Sequence, residues 1–210
     1  MCLTSDDKTF ILTGMKDPER TRSIILKAAF QEVHRKGFKA ASLSDILART
    51  ALTKGALYHH FPNKSALGHA LLDTIEKGII HRWISPLREN SDPLTCLQKI
   101  TRDAVEVMSS EEVELGCPLH NLAQEMSSID ESFRIKVASI YESWRDGIAQ
   151  ALEEGQKNGV VSPRIDPTGT ALFYISVLSG SRGLAKNARS SEILYSCIKS
   201  LCDYLETLRD

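Results

Sequence analysis

Apolar residues recur at every third or fourth position through most of the chain, which is the spacing of an amphipathic α-helix. The first such helix covers residues 19–36 and ends at Gly37. Asn63 then caps a long helix. The apolar positions are Ile25, Ala29 and Val33 in the first helix and Leu67, Leu71, Ile75 and Ile79 in the second. No segment has the alternation of a strand, so the predicted fold class is all-α, with about nine helices.

Two short helices are predicted between these longer ones. Ser44 is the expected N-cap of the first, and Thr53 is the expected N-cap of the second, which covers residues 54–60. Four helices within about 65 residues, the middle two joined by a tight turn, have the spacing of a helix-turn-helix unit.

Longer helices are predicted after a polar loop at residues 85–92. Asp92 and Asp166 each precede a proline, an arrangement that begins a helix. Residues 128–131 match a capping box, which would begin another helix. The acidic residues 111–114 are predicted to form a loop.

Composition narrows the class of protein. No run of eighteen apolar residues is present, and the N-terminus is too polar for a secretory signal, so we expect a cytoplasmic protein with no membrane partner. Residues 1–15 are expected to form a disordered tail, and Met15 is a candidate start of translation. Five cysteines without a CxxC pair favour reduced thiols over disulfides or a zinc site. No cofactor is expected.

Charge is distributed unevenly, although the net charge is −1. Residues 16–81 carry eleven Lys/Arg and six Asp/Glu, whereas residues 82–210 carry fourteen and nineteen. A basic N-terminal third suggests a polyanionic partner. An ordinary fluctuation of surface charge would give the same counts.

Two stretches carry a resemblance to a known family. They are residues 37–46, Gly-Phe-Lys-Ala-Ala-Ser-Leu-Ser-Asp-Ile, and residues 53–61, Thr-Lys-Gly-Ala-Leu-Tyr-His-His-Phe, followed by Lys64 and Leu67. Together they resemble the DNA-binding domain of TetR/AcrR transcriptional regulators. The resemblance covers roughly residues 19–79.

The resemblance implies a domain organisation and a function. It places a DNA-binding domain at residues 16–79, with the helix-turn-helix at about 42–61, and a helical ligand-binding and dimerisation domain at residues 80–210. It implies a homodimeric repressor that leaves a palindromic double-stranded operator when a small-molecule effector or a thiol-reactive signal acts on it. The fourth helix would transmit the change.

The resemblance also assigns roles within the helix-turn-helix. Major-groove contacts are expected from Thr53, Lys54, Gly55, Ala56 and His59, and phosphate contacts from Ser42, Ser44, Tyr58 and Lys64. The core would include Leu43, Ile46, Leu57 and Phe61. The family usually has glycine in the turn between the second and third helices, where this chain has Ala51. A left-handed alanine there would cost about 1 kcal/mol.

Residues 116–126 resemble a Gly-Cys-x-Leu-x-Asn-Leu-Ala-x-Glu stretch of one branch of the family, some members of which sense electrophiles or oxidants through this cysteine. Three interpretations of Cys117 stay open. It is a buried structural residue, a reactive thiol at a helix N-terminus, or one of a metal-binding pair with His120. Because no further ligand has suitable spacing, no metal site is predicted.

Apolar and aromatic side chains in the second half are candidate contacts for a small hydrophobic or electrophilic effector. They are Leu97, Ile100, Cys117, His120, Leu122, Met126, Tyr141, Trp144, Phe173 and Val177. For each of them, packing in the ordinary hydrophobic core is the alternative explanation.

The last two predicted helices, residues 168–188 and 191–208, resemble the pair that forms a four-helix bundle with a partner subunit. The expected dimer contacts are Ser176, Gly180, Gly183, Leu194, Ile198, Leu201 and Leu205. An intramolecular core is the alternative.

Two other classes of function compete with a regulator. A small enzyme would use Cys117 with His120, but no third orienting group, oxyanion hole or phosphate loop accompanies them, so no catalytic residue is predicted. A helical adaptor would use its faces for protein contacts, which leaves the pattern of residues 54–64 unexplained.

Overall fold

The computed structural model describes residues 17–209, so the predicted tail at residues 1–15 lies outside the described range. Within that range the elements are helical, and the one isolated β-bridge joins Val161 to Arg209. The all-α class is therefore confirmed. None of the described helices is apolar over a length that could cross a membrane. The chain divides into two compact units, and the boundary between them along the sequence falls between Leu71 and Leu72.

The N-terminal unit is built from three helices and the first part of a fourth. These are α1 (Pro18–Lys36), α2 (Leu43–Ala48), α3 (Lys54–His60) and α4 (Lys64–Ile79). The predicted first helix and the predicted short helix at 54–60 are confirmed. The buried apolar side chains of this unit are Ile25, Ala28, Ala29, Val33, Phe38, Ala41, Ile46, Leu57, Phe61, Leu67, Ala70 and Leu71.

Polar side chains fix where the short helices begin. Thr53 caps α3 as predicted, because its Oγ1 accepts a hydrogen bond from the Ala56 N–H at 3.2 Å. The predicted cap of α2 is wrong by two residues. Ser42 is the N-cap, and its Oγ accepts from the Asp45 N–H at 3.0 Å, whereas Ser44 lies inside the helix.

Glu32 is a charged side chain on the buried face of α1, only 1% exposed. Arg49, which follows α2, donates from Nε to Glu32 Oε2 at 2.6 Å. Lys36 Nζ lies 2.6 Å from Glu32 Oε1 and 3.2 Å from Asp45 Oδ2. Hydrogen bonds from Lys36 and Arg49 hold the pKa of Glu32 below its usual value. This network joins α1 to α2 and to the turn after it.

The turn between α2 and α3 does not need glycine. Arg189 is the one non-glycine residue with a positive φ between residues 17 and 209, so Ala51 is not left-handed. Thr50 stabilises the turn, since its Oγ1 donates to the Leu47 carbonyl at 3.0 Å and accepts from the Leu52 N–H at 3.2 Å. The left-handed conformation that would strain an alanine is therefore not adopted at Ala51.

The C-terminal unit contains the rest of α4 and seven further α-helices. A π-helical turn, Ile80–Ile84, continues α4 into α5. The remaining elements are α5 (Ser85–Arg88), α6 (Pro93–Glu106), α7 (Ser110–Leu115), α8 (Pro118–Met126), α9 (Glu131–Lys157), α10 (Pro167–Ala188) and α11 (Ser191–Glu206). Asp92 and Asp166 cap α6 and α10 as predicted.

Three local predictions in this unit are wrong. The expected loop at residues 85–92 begins with the short helix α5, Ser85–Arg88. The expected loop at residues 111–114 belongs to α7, because Ser109 and Glu112 form a capping box. The Ser109 N–H donates to Glu112 Oε2 at 2.9 Å, and the Glu112 N–H donates back to Ser109 Oγ at 3.2 Å. The expected capping box at residues 128–131 does not form. Asp130 alone caps α9, and its Oδ1 accepts from two backbone N–H groups at 2.9 and 3.1 Å.

Helices α9, α10 and α11 pack in sequence, and α11 also packs on α6. The apolar seam of α11 faces this interior. Its members are Leu194, Ile198, Leu201 and Leu205, none of them more than 4% exposed. These side chains pack within the subunit, as the intramolecular alternative for the seam requires, so any dimer contact of α11 uses its other face.

Replacement of Glu32 tests the buried ion network. Glu32→Gln should lower the thermal unfolding midpoint at pH 7 by roughly 5–10 °C, because Arg49 loses its buried counter-charge. The folded-state pKa of Glu32 is depressed. Its stabilising effect is therefore complete above the unfolded-state pKa of about 4.3 and is lost as pH falls through the folded value. Circular dichroism melts should thus show the gap between variant and wild type narrowing from pH 7 towards pH 3.

The matched control for this prediction is Arg35→Gln. The Arg35 guanidinium is half exposed and lies 3.7 Å from Glu32, so its removal should change the midpoint little. A Glu32→Gln protein as stable as wild type at pH 7 would show that the network does not hold the unit together.

Candidate functional site

Helix α3 presents a polar face to solvent because its apolar side is fixed in the core. Leu57 is fully buried, and Phe61, which ends the helix, is 3% exposed. Seven residues are too few for a helix to be stable in water by itself, so this burial determines its orientation. Lys54 and Tyr58 are left on the exposed side.

The predicted DNA contacts occupy α3, the beginning of α2 and the beginning of α4. Most of them are exposed, and Ala56 and Lys64 are half-buried. The exposed ones are Ser42, Ser44, Thr53, Lys54, Gly55, Tyr58 and His59.

Two of these side chains form a cation–aromatic pair. Lys54 Nζ lies 5.8 Å from the centroid of the Tyr58 ring, which is 42% exposed. The first turn of α3 contains no acidic residue. The beginning of α3 therefore offers a cation and free backbone N–H groups to an approaching anion.

Lys64 holds the loop that leads into α2. Its Nζ donates to the Lys39 carbonyl at 3.0 Å and lies 5.0 Å from the centroid of the Phe38 ring. The predicted phosphate contact of Lys64 stays a prediction, and its position next to Lys39 adds a second cation to that end of α4.

The acidic side chains of this unit are mostly engaged. Residues 17–71 contain nine Lys/Arg and four Asp/Glu. Asp17 caps α1 by accepting from the Arg20 N–H, and Glu32 and Asp45 are paired with Lys36. With nine positive and four negative side chains, residues 17–71 carry a net charge of +5.

In the C-terminal unit, the segment that contains Cys117 forms the junction between α7 and α8. Gly116 ends α7 with a φ of 77°, a conformation that favours glycine. Asn121 Nδ2 donates to the Leu115 carbonyl at 2.8 Å, and Arg182 Nη2 donates to the Gly116 carbonyl at 2.8 Å. The glycine and asparagine of the motif therefore shape the turn, and Arg182 attaches it to α10.

Cys117 is a free thiol at the N-cap position of α8 and is 9% exposed. Its neighbour is Tyr141. Burial raises the pKa of Tyr141 to about 12, Cys117 adds to the increase, and the nearby Ser179 hydroxyl opposes it. His120 is half-buried. Across residues 17–209 no three His, Cys, Asp or Glu side chains are grouped so that they could hold a metal ion.

The other predicted effector contacts fall into three groups. Leu97, Leu122, Met126 and Trp144 are buried, whereas Ile100, His120, Tyr141 and Val177 are half-buried. Phe173 is 46% exposed, and its ring packs edge-on against Tyr204 with centroids 4.8 Å apart. Phe173 therefore lies on the outer face of α10, away from the buried members of the set.

Sequence reasoning missed a group of buried donors in the C-terminal unit. Trp144 Nε1 and Arg182 Nε are buried without a hydrogen-bond partner within the described chain, and the buried Ser179 hydroxyl lies next to the Tyr141 hydroxyl. Trp144 also stacks with Trp83 at 5.7 Å between centroids, and Trp83 contacts Tyr174 at 6.3 Å. The sequence offered no signal for the donors, because their convergence depends on contacts between distant helices.

The outer face of α10 consists of small residues flanked by large apolar ones. Ser176, Gly180 and Gly183 are exposed, and a Cβ placed on either glycine would meet no atom of the described chain within 4 Å. Large apolar side chains flank them. These are Leu172, Leu184 and, on α11, Tyr195, which are 49%, 59% and 50% exposed.

Comparison with known proteins covers both units. The family model described as "Bacterial regulatory proteins, tetR family" matches residues 25–71, and "Tetracyclin repressor-like, C-terminal domain" matches residues 93–201. The transcriptional regulator AcuR of Cereibacter sphaeroides is 29% identical over 77% of this chain and 75% of its own length. The HTH-type transcriptional repressor DhaR of a Mycobacterium species is 26% identical over 82% and 86%. A crystal structure of a TetR regulatory protein from Rhodobacter sphaeroides superposes with a TM-score of 0.74 at 27% identity, covering 86% of this chain and 96% of that one.

The burial of the thiols predicts an order of chemical reactivity. Cys197 is half-buried, whereas Cys96, Cys117 and Cys202 are buried. Burial also raises the pKa of Cys96 and Cys202. Iodoacetamide at pH 7.5 should therefore alkylate Cys197 several-fold faster than the other three, as measured by peptide mass spectrometry. Protein unfolded in urea serves as the control, in which the rates should converge. If Cys117 reacts as fast as Cys197 in the folded protein, the reactive-thiol interpretation is favoured instead.

Proposed function

The chain belongs to the TetR family of bacterial regulatory proteins, and we propose that it represses transcription as a homodimer on a palindromic operator until a small molecule binds its C-terminal unit. It is a DNA-binding transcriptional regulator, since the family consists of such regulators. The observation that carries the proposal is the exposed face of α3, where Lys54 and Tyr58 form a cation–aromatic pair on a positively charged unit.

The beginning of α3 enters the major groove in this proposal. Thr53, Lys54, Gly55, Ala56 and His59 then face base edges, because the N-terminal residues of a recognition helix point into the groove. A Cβ at Gly55 would lie at an ordinary 3.8 Å from Thr53 Oγ1, so packing within the described chain does not require glycine there. The close approach of DNA supplies a reason for it.

Phosphates on either side of the groove are bound by Ser42, Ser44, Tyr58 and Lys64. The Ser42 hydroxyl accepts a backbone N–H as a cap, and its proton stays available for a phosphate oxygen. The exposed Tyr58 hydroxyl and the Lys64 ammonium supply further donors to the DNA backbone.

Two subunits are needed to read a palindrome, because each half-site takes one α3. We place the dimer contact on the outer faces of α10 and α11. Gly180 and Gly183 would allow the partner's helices to approach closely, and Leu172, Leu184 and Tyr195 would bury apolar surface. Ser176 lies on the same face of α10.

Helix α4 would carry the effector signal, because it contributes residues to both compact units. Within the C-terminal unit, Lys136 of α9 pairs with Asp73 at 2.9 Å and Glu76 at 2.7 Å on α4. Tyr141 and Trp144 lie on the same α9. An effector that binds beside them and shifts α9 would therefore also shift α4. Operator binding would weaken by the difference between the effector's binding free energies for the shifted and unshifted arrangements.

Removal of one cation from α3 tests the DNA interface. A palindromic duplex is first selected from random sequence with the protein itself, and binding is measured by fluorescence anisotropy from 50 to 300 mM salt. Lys54→Gln should weaken operator binding about tenfold and reduce the slope of log Kd against log salt by about one. Lys157→Gln is the control. It removes the same charge from the end of α9, where Lys157 is exposed and paired with Glu154, and it should leave both quantities unchanged. Equal effects of the two variants would contradict the proposed role of α3.

A charge on the outer face of α10 tests the dimer contact. Leu184→Glu should convert the dimer to a folded monomer, because a buried carboxylate without a partner is costly and the Leu184 side chain is 59% exposed within its own subunit. Sedimentation velocity measures the association state. Val107→Glu is the control, since Val107 is 75% exposed and lies at the end of α6. A dimer that survives Leu184→Glu would place the contact elsewhere.

A further inference from the structure

We propose that the effector is a small organic acid, whose carboxylate binds between the beginning of α8 and Arg182 of α10 while its apolar part lies towards Trp144. The inference rests on the proposed function, since it names the chemical class of the molecule that would release the operator.

The first observation is that buried donors in the C-terminal unit lack acceptors. Ser179 is 5% exposed, and its hydroxyl lies next to the Tyr141 hydroxyl. Trp144 is 4% exposed, and its Nε1 has no hydrogen-bond partner among residues 17–209. The same holds for Arg182 Nε. A buried donor without an acceptor destabilises a fold, so it normally has a structural or functional explanation. A ligand that supplies acceptors would provide one.

The second observation is that these donors lie on facing helices near one point. Ser179 and Arg182 are one turn apart on α10, and Tyr141 and Trp144 are one turn apart on α9, which packs against α10. The Tyr141 hydroxyl is close enough to Ser179 and to Cys117 for both to affect its pKa. The Arg182 guanidinium reaches the Gly116 carbonyl. Arg182, Ser179 and Tyr141 therefore lie around the beginning of α8, and Trp144 lies one turn from Tyr141 on α9.

The third observation is that the N-terminus of α8 itself is open to an acceptor. Cys117 occupies the N-cap position, and its side chain makes no capping hydrogen bond within the described part of the chain. Helix α8 is nine residues long and begins with Pro118. Its first-turn N–H groups and helix dipole favour a negative group at this position.

The surrounding charge is also suited to an anion. Arg182 has Lys186 one turn further along α10, and the Lys186 Cδ lies 3.0 Å from where a Cβ of Gly116 would be. The pKa of the nearby Glu112 carboxyl is lowered by hydrogen bonds from Ser109 and by the charge of Arg182. Its Oε2 already accepts from the Ser109 N–H at 2.9 Å and from the Ser109 hydroxyl at 3.0 Å. The guanidinium therefore keeps donor capacity for an external carboxylate.

The chemistry of the donors selects the ligand class. A guanidinium, an indole N–H and two hydroxyls suit a group that mainly accepts hydrogen bonds and carries negative charge, and a carboxylate is such a group. Trp144 also belongs to an aromatic cluster that it forms with Trp83 and Tyr174. An apolar, preferably planar, hydrocarbon part would pack against these rings.

Intrinsic tryptophan fluorescence tests the inference directly, because the two tryptophans of the chain, Trp83 and Trp144, both lie in this cluster. The full-length protein is titrated with benzoate, phenylacetate and butyrate, with the neutral amide of each, and with inorganic phosphate. We expect a saturable change with at least one acid and none with its amide. A response to phosphate at equal concentration would assign the site to anions in general and overturn the choice of an organic acid.

Two variants and a control locate the carboxylate. Arg182→Gln should weaken binding of the acid by roughly tenfold to a hundredfold, and Ser179→Ala by roughly threefold to tenfold. Arg189→Gln removes a second arginine near the end of α10, where the side chain is exposed, and should have no effect. Ser179→Ala leaves the bond between Arg182 and Gly116 intact, so it keeps the test valid if Arg182→Gln disturbs the junction. Unchanged affinity in Ser179→Ala together with a folded, unaffected Arg182→Gln would overturn the proposed site.

The same ligands in the operator-binding assay separate the two proposals. An acid that binds near the tryptophans without weakening operator binding would support the acid site and contradict release by effector. Release of the operator by neutral amides as well as acids would support the proposed function and overturn the carboxylate inference. No saturable fluorescence change with any of the acids would also overturn it.

Discussion

The burial of Leu57 is the constraint on which the DNA-reading part of the molecule depends. Helix α3 has only seven residues, and an isolated helix of that length does not persist in water. Its orientation comes from the apolar contacts of Leu57 and Phe61, and its first turn is fixed by the Thr53 cap. The Glu32 network then holds the preceding turn through Arg49. The face that carries Lys54 and Tyr58 is consequently rigid before it meets a ligand, which reduces the entropy lost on binding.

In the proposed account helix α10 has two roles, on neighbouring faces. Its inner side carries Ser179 and Arg182, which face α9 and the beginning of α8. Its outer side carries Gly180 and Gly183, which are open to a partner. In the proposed account a molecule bound on the inner side acts on the same helix that joins the subunits. The distance between two copies of α3 would then depend on the effector, with α4 carrying the change to the N-terminal unit.

Local sequence chemistry predicted the boundaries of three helices from a single capping residue each. Thr53, Asp92 and Asp166 cap helices as expected, because a cap needs only neighbouring backbone N–H groups. A run of glutamates is typical of a loop, although Ser109 and Glu112 have the spacing of the capping box that begins α7. Ser42 and Ser44 both precede the same apolar run, and only the backbone conformation shows that Ser42 is the N-cap.

Features that depend on distant contacts were not available from the sequence. The seam of α11 has the spacing of a helix contact, but periodicity does not say whether the neighbour is α6 and α10 of the same subunit or a partner. Likewise Phe173 is an aromatic residue of the kind that lines ligand pockets, but it lies on the outer face of α10. Arg182 and Ser179 carry no local motif, and their relation to Cys117 arises only when α9, α10 and α8 come together.

The proposed DNA contact of α3 is the central claim, and hydrogen exchange of the protein with and without a selected operator tests it most directly. Mass spectrometry measures how fast backbone amides exchange in each peptide. The account predicts slower exchange on the operator in peptides that cover residues 42–64, and no comparable slowing on a duplex of scrambled sequence. A stable complex in which these peptides exchange as fast as in the free protein would contradict it.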